Sequence, residues 1–241
     1  ALALDSQILK DKDIPVTDSD QKPDFILSPS HQVKKFQFQL HFSNKDGHTI
    51  TNVRARKVTL RAEMRRFLNG IFSVQIENEN EIVIRKVFES DLYRPKKRIC
   101  VYVSKQRAEI STRSIIYDIF SKGKICYMPR WNKDKTSIEM VNIRSLQDYF
   151  SLQIDEFGFI EPDDQEREIG MAYDLDGNRL SYNKEEPYNE YLAKCQEWNN
   201  PPKIMALALD GQILKDKEVP VNVNEQKPDL ILSSQQDIKI R

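Results

Sequence analysis

Past residue 97 the chain switches repeatedly between two hydrophobic periods. "RICVYVS" at 98–104 is a continuous apolar run of strand length. "TRSIIYDIFSKGK" at 112–124 has helical spacing, with Ser111 and Thr112 as its start and Gly123 as its stop. "KICYMP" is a second strand closed by Pro129, and "EMVNI" at 139–143 is a short third element. Pro187–Trp198 reads as a helix with proline in its first turn, packing Tyr191, Leu192 and Cys195. "IMALAL" and "DLILS" are closing strands. Strands alternating with helices predict an α/β three-layer sandwich with a largely parallel sheet. Such sheets bind ligands outside the carboxyl ends of their strands.

Upstream, the body of the domain starts at about Val53. "KVTLRAEMRRFL" sets Leu60, Met64 and Phe67 on one helical face and Lys57, Arg61 and Arg65 on another. A second helix runs through Ile84 and Phe88 and stops at Pro95. "KKFQFQLHFSNKDGHTITN" alternates Phe36, Phe38, Leu40 and Phe42 with polar residues and turns at Asp46-Gly47, a hairpin signal.

Charge removes several function classes. Lys+Arg and Asp+Glu are both 37, so the basic excess of a nucleic-acid binder is missing. No apolar run approaches a membrane span, and no secretory leader pattern opens the sequence. Cys100, Cys126 and Cys195 are odd in number and far apart, which suits neither a disulfide framework nor a CxxC metal site. They fit small buried residues of a reduced, cytoplasmic protein.

The front of the chain repeats its tail. Ala1–Pro29 aligned with Ala206–Ser234 is identical at 20 of 29 positions. A single repeat makes no solenoid, which needs three or more stacked units. The expected organisation is therefore a duplicate of the C-terminal segment at 1–29, a linker or hairpin at 30–52, and an α/β domain at 53–241. A tandem duplication, or a gene model stitched across two copies, would produce both the repeat and the missing initiator methionine.

Seven stretches in order carry a resemblance over roughly residues 53–234. They are "KVTLR" at 57–61, "RICVYVS…EIST" ending at Thr112, "IIYDIFSKGKICYMPR" at 115–130, "MV" at 140–141, "FGFIEP" at 157–162, "GMAYDLDGNRL" at 170–180 and "VPVNVNEQKPD" at 219–229. Together they resemble the 5-formyltetrahydrofolate cyclo-ligase (methenyltetrahydrofolate synthetase) family. The resemblance implies an ATP- and Mg²⁺-dependent ring closure on a small-molecule folate by a cytoplasmic enzyme that acts as a monomer. The formyl oxygen takes the γ-phosphoryl group of ATP, releasing ADP. The second folate nitrogen then attacks the activated carbon, and phosphate leaves to give 5,10-methenyltetrahydrofolate. It also implies residue roles: Lys57, Arg61, Arg179, Lys184 and Tyr188 toward ATP, with Lys184 catalytic. Val103, Glu109 and Phe157 fall to the folate, Asn189 and Glu225 to the metal. Read from the residues alone, Lys57 and Arg61 equally suit a solvated basic stripe. Glu109 equally suits charge placed before a helix N-terminus, and Val103 and Phe157 are core residues first.

Two departures stand out. The family's phosphate loop reads Gly-Arg-Gly-Lys-Gly-Tyr-Tyr-Asp, and its glycines let backbone N–H groups close on phosphate. This chain reads "SYNKEEPYNEYL" from Ser181. Ser181, Tyr182 and Asn183 replace Gly, Arg and Gly, and Lys184 is kept. Glu185 and Glu186 add negative charge, Pro187 removes a donor, and Asn189 replaces an aspartate. Glu225 likewise stands where the family has aspartate. Second, the chain runs from Pro162 through "DDQERE" almost directly to Gly170, without the aliphatic strand expected there. One strand short, the sheet would expose two unpaired edges. One remedy is that "ALAL" and "FQFQLHF" of the front segment pair with those edges. The functional expectations are an impaired cyclo-ligase, a catalytically weak or inactive folate- or nucleotide-binding homologue, or a chimeric gene product.

Overall fold

A computed structural model describes residues 22–28, 49–104, 108–131, 137–152, 170–181, 186–198, 201–216, 218–221 and 225–240, with backbone only at 28, 49–52, 131, 170 and 186–188. The described elements are β1 (Phe25–Ser28), α1 (Thr49–Leu68), α2 (Ser73–Glu89), β2 (Arg98–Cys100), α3 (Arg113–Ser121), β3 (Ile125–Trp131), β4 (Ile138–Ile143), α4 (Leu146–Ser151), β5 (Gly170–Asp174), β6 (Arg179–Ser181), α5 (Glu186–Gln196), β7 (Lys203–Leu207), β8 (Ile213–Leu214), β9 (Leu230–Leu232) and β10 (Asp237–Lys239). They form a seven-stranded sheet in the order β10-β9-β7-β1-β2-β3-β4 and a small sheet in the order β6-β5-β8. The five inner strands are parallel, and only the edge strands β4 and β10 run antiparallel to their neighbours. The expected α/β sandwich with a largely parallel sheet is what forms.

Alternation sorts the side chains into layers. Phe25, Leu27, Ile99, Val101, Cys126, Met128, Met205 and Leu207 face α2 and α3, where Val83, Val87, Ile115 and Ile119 complete one core. Ile26, Cys100, Tyr127 and Ile204 face the other way and meet Leu192 of α5. On that same side Tyr173 and Ile213 of the small sheet pack on Ala206 and Ile231. Outside the small sheet, α1 contributes Leu60, Met64 and Leu68 to a further cluster with Ala172, Leu180 and Val219.

Local signals explain most boundaries. Gly123 has φ +63, the left-handed stop expected after α3. Pro129 does not close its strand: β3 continues to Trp131. The β2 ladder ends opposite Tyr127, so Pro129 lies past that pairing while the antiparallel ladder to β4 carries on. The hairpin expected around Asp46-Gly47 lies outside the described residues, and α1 begins at Thr49, upstream of the expected start near Val53.

The front segment supplies one strand of the main sheet. "ALAL" and "FQFQLHF" lie outside the described residues, whereas "FILS" of the same front segment becomes β1, between β7 and β2. Phe25, Ile26 and Leu27 are each nearly inaccessible, and burying each contributes roughly 1.5–3 kcal/mol. Among the described residues no helix is long and apolar enough to cross a membrane.

Candidate functional site

Helix α1 carries the first two candidate residues across the small sheet. Its apolar stripe (Leu60, Met64, Leu68) packs on Ala172 and Leu180, fixing the helix rotation. One turn before Leu60's stripe begins, Lys57 is buried, at 3% exposure, so it is no solvated stripe. Arg65 on the same helix is exposed. The Lys57 ammonium donates to Glu225 Oε1 in the loop before β9, and both side chains are almost inaccessible. Arg61 Nε donates to the carbonyl of Ser181 at 2.7 Å, on the last residue of β6. Ser181 is the point where the family-type phosphate loop would begin, so Arg61 holds the entrance of that segment through its backbone.

One metal candidate touches the backbone of the residue that follows the other. Asn189 lies on α5, and its Oδ1 accepts from the Gln226 N–H at 3.4 Å, next to Glu225. Arg179 is separate in orientation. It pairs with Tyr173 across the β5–β6 ladder, while its neighbour Leu180 packs toward α1. Arg179 is buried and shares the β5–β6 face of Tyr173, which packs on the main sheet.

Asp174 ties this region together and was named in the sequence only as part of a motif. Its Oδ1 accepts from the Asp176 and Asn178 N–H groups at 3.1 and 2.8 Å. Its Oδ2 accepts from Asn178 Nδ2 at 2.8 Å and from the Val219 N–H at 2.9 Å. One carboxylate thus shapes the β5–β6 turn and pins the strand exit leading to Glu225. Gly177 completes that turn at φ +79, where a Cβ would meet Ile240 at 2.8 Å. The D-x-D-G-N spacing was the available signal.

The folate candidates sit on the loop after β2. Glu109 is buried and Val103 half-buried. The preceding Ala108 adopts φ +59, an unusual backbone for a residue with a Cβ. It packs beside Leu60 and Met64 of α1, which brings the loop to the same helix as Lys57. A reciprocal clamp closes the loop. Ser104 N–H donates to Thr112 Oγ1 and Thr112 N–H to Ser104 Oγ, both at 3.0 Å. The Thr112 hydroxyl donates onward to the Tyr102 carbonyl at 2.7 Å. Asn80 of α2 fixes the far side, its Oδ1 accepting from Ser111 N–H at 2.7 Å. Local sequence signalled none of these partners except the Ser111/Thr112 helix start.

Phe157 and Lys184 lie outside the described residues, as does the side chain of Tyr188. Among the described residues no group of three or more His, Cys, Asp or Glu could hold a metal ion. The three cysteines are free and buried. Burial pushes the Cys126 and Cys195 thiols up to about 12 and the Cys100 thiol up as well, so none is an activated nucleophile.

Comparison with known proteins supplies a family. The sequence model of the 5-formyltetrahydrofolate cyclo-ligase family matches residues 53–234. The 5-formyltetrahydrofolate cyclo-ligase of Mus musculus is 31% identical over 195 residues, covering 75% of this chain and 94% of that protein. A probable 5-formyltetrahydrofolate cyclo-ligase of Schizosaccharomyces pombe is 25% identical, over 76% of this chain and 98% of its own length. Among solved structures, a 5,10-methenyltetrahydrofolate synthetase from Mycoplasma pneumoniae aligns with a TM-score of 0.49 at 13% identity, over 76% of this chain and 99% of that one.

Proposed function

Since the chain belongs to the 5-formyltetrahydrofolate cyclo-ligase family, we propose that it closes 5-formyltetrahydrofolate to 5,10-methenyltetrahydrofolate at the expense of ATP, and does so slowly. The observation that carries this reading is the pairing of a buried Lys57 with Glu225 beside the Arg61–Ser181 contact. A lysine and an arginine one helical turn apart, held next to the start of the 181–189 segment, are the donors that phosphoryl transfer needs.

Lys57 and Arg61 would neutralise phosphate oxygens. Glu109 would take the folate from the neighbouring loop, with Val103 as part of its apolar wall. Glu225 and Asn189 offer one carboxylate and one amide oxygen. That set suits an ion held mainly by phosphates and water, the ordinary manner for Mg²⁺, which would supply charge stabilisation at the phosphates. Lys184 would contact the transferring group. Arg179, buried on β6 two residues before Ser181, would also serve the nucleotide.

Slow turnover follows from two features. Glu225 already occupies the Lys57 ammonium, so a nucleotide must exchange one anionic partner for another. The 181–189 segment also lacks all three loop glycines, and losing even one preorganised donor costs on the order of 10²–10³ in rate. The reaction is tested by near-ultraviolet absorbance of purified protein with 5-formyltetrahydrofolate, ATP and Mg²⁺. Growth that requires ATP supports the proposal. Absence of growth, together with a thermal shift on adding folate or ATP, would instead make the chain a binding homologue, because a ligand of the native state raises its stability.

A further inference from the structure

The segment matched by the family begins at residue 53, yet the strand in the middle of its main sheet is β1, at Phe25–Ser28. Without β1, the sheet of the matched region falls into two separate ribbons, β10-β9-β7 and β2-β3-β4. A parallel sheet covered on both faces cannot leave such inner edges bare.

The contacts that seat β1 are specific. At its entry, Asp24 N–H donates to the Arg98 carbonyl at 2.8 Å, and the Lys203 N–H donates to the Asp24 carbonyl at 3.1 Å. The Asp24 carboxylate accepts from the Arg98 N–H at 3.1 Å and from its guanidinium at 3.1 and 2.7 Å. Lys22 lies over the Trp198 ring at 4.5 Å. Phe25 meets Tyr93 edge to face, ring centroids 5.9 Å apart.

The duplicate explains why this sequence fits a strand slot. Asp229, the twin of Asp24 in the repeat, does the same work before β9. Its Oδ2 accepts from the Ile204 N–H and its Oδ1 from Lys203 Nζ, both at 2.8 Å, while its own N–H donates to the Ile204 carbonyl at 2.8 Å. In both copies a Lys-Pro-Asp entry grips the backbone and cation at the start of the neighbouring strand, and the following apolar residues run parallel to it. The two copies flank β7, one on each side.

We propose that the gap between β7 and β2 is a strand-binding site for the chain's own N-terminal Lys22–Ser28, specified by Asp24 against Arg98. Lys22–Ser28 of the duplicated front segment is thus the donor strand that completes the cyclo-ligase sheet, an intramolecular form of strand addition. It does not depend on whether the site turns over folate.

Charge reversal in the full-length chain tests this without ligand. Asp24→Arg and Arg98→Asp are each expected to lower the melting temperature by about 2–4 °C, and the double variant to recover more than half of that loss. Silent single variants, or a double variant that loses as much as the two singles together, would overturn the assignment. Mixing unfolded D24R and R98D chains and refolding them together identifies the donor. If the strand comes from its own chain, the mixture melts like the single variants. If the strand passes between copies, both charge pairs re-form across a dimer, the melting temperature recovers, and the intramolecular proposal fails.

Discussion

Lys57 and Glu225, 168 residues apart in the sequence, form a buried ion pair in which the ammonium of α1 donates to a carboxylate of the closing loop. The pair joins the first helix of the family-matched region to its last loop and lies one turn from the Arg61–Ser181 bond. It fixes the distance between the two sides of the proposed nucleotide site.

Removing one partner should therefore be costly. Glu225→Ala takes a carboxylate partner from a buried ammonium, and the expected loss is on the order of 3–5 kcal/mol in urea unfolding. Lys57→Met combined with Glu225→Leu should recover most of it, since a packed apolar pair substitutes well for a buried ion pair. A single variant as stable as the parent would mean that the two groups are solvated.

The Ser104–Thr112 clamp predicts a separation of stability and binding effects. Thr112→Val removes a hydroxyl that accepts from Ser104 N–H and donates to the Tyr102 carbonyl. The stability loss should be about 1–3 kcal/mol, and Thr112→Ser should restore most of it. If the clamp positions Glu109 and Val103 for folate, KM for 5-formyltetrahydrofolate rises with little change in KM for ATP. Equal rises in both would make the clamp a purely structural device.

Alkaline stability should report the buried thiols. Burial raises the Cys126 thiol from 9.0 to about 12. Between those values the folded chain keeps a proton that the unfolded chain has lost, so stability is full below pH 9 and falls as pH rises. Cys126 contributes a slope of about 1.4 kcal/mol per pH unit in that window. Urea midpoints across the window should show a shallower decline for Cys126→Ala than for the parent. An unchanged slope would place the thiol in contact with water.

Much of the layer structure was legible in the sequence because it is local. The run Arg98–Cys100, the helix ending before Gly123 and the apolar run Leu230–Leu232 each declare their element within a few residues. The place of "FILS" was not legible. Three apolar residues, Phe25, Ile26 and Leu27, suffice for a strand, while its neighbours depend on Arg98 and Lys203, far along the chain. The same limit hid the site's electrostatics. A lysine four residues before an arginine suits water as well as phosphate, and the buried pair with Glu225, 168 residues away, cannot be read from the local pattern. Asp174 escaped for a related reason: its local turn was visible, but its bond to Val219 was not.

Activity with and without a rebuilt phosphate loop tests the central claim most directly. The measurement is the ATP-dependent near-ultraviolet rise with 5-formyltetrahydrofolate and Mg²⁺, for the parent and for a variant carrying Gly-Arg-Gly-Lys-Gly-Tyr-Tyr-Asp in place of residues 181–189. The account predicts a slow but ATP-requiring rise in the parent and a gain on the order of 10²–10³ in the variant. No rise in either protein, with both folded, would contradict it.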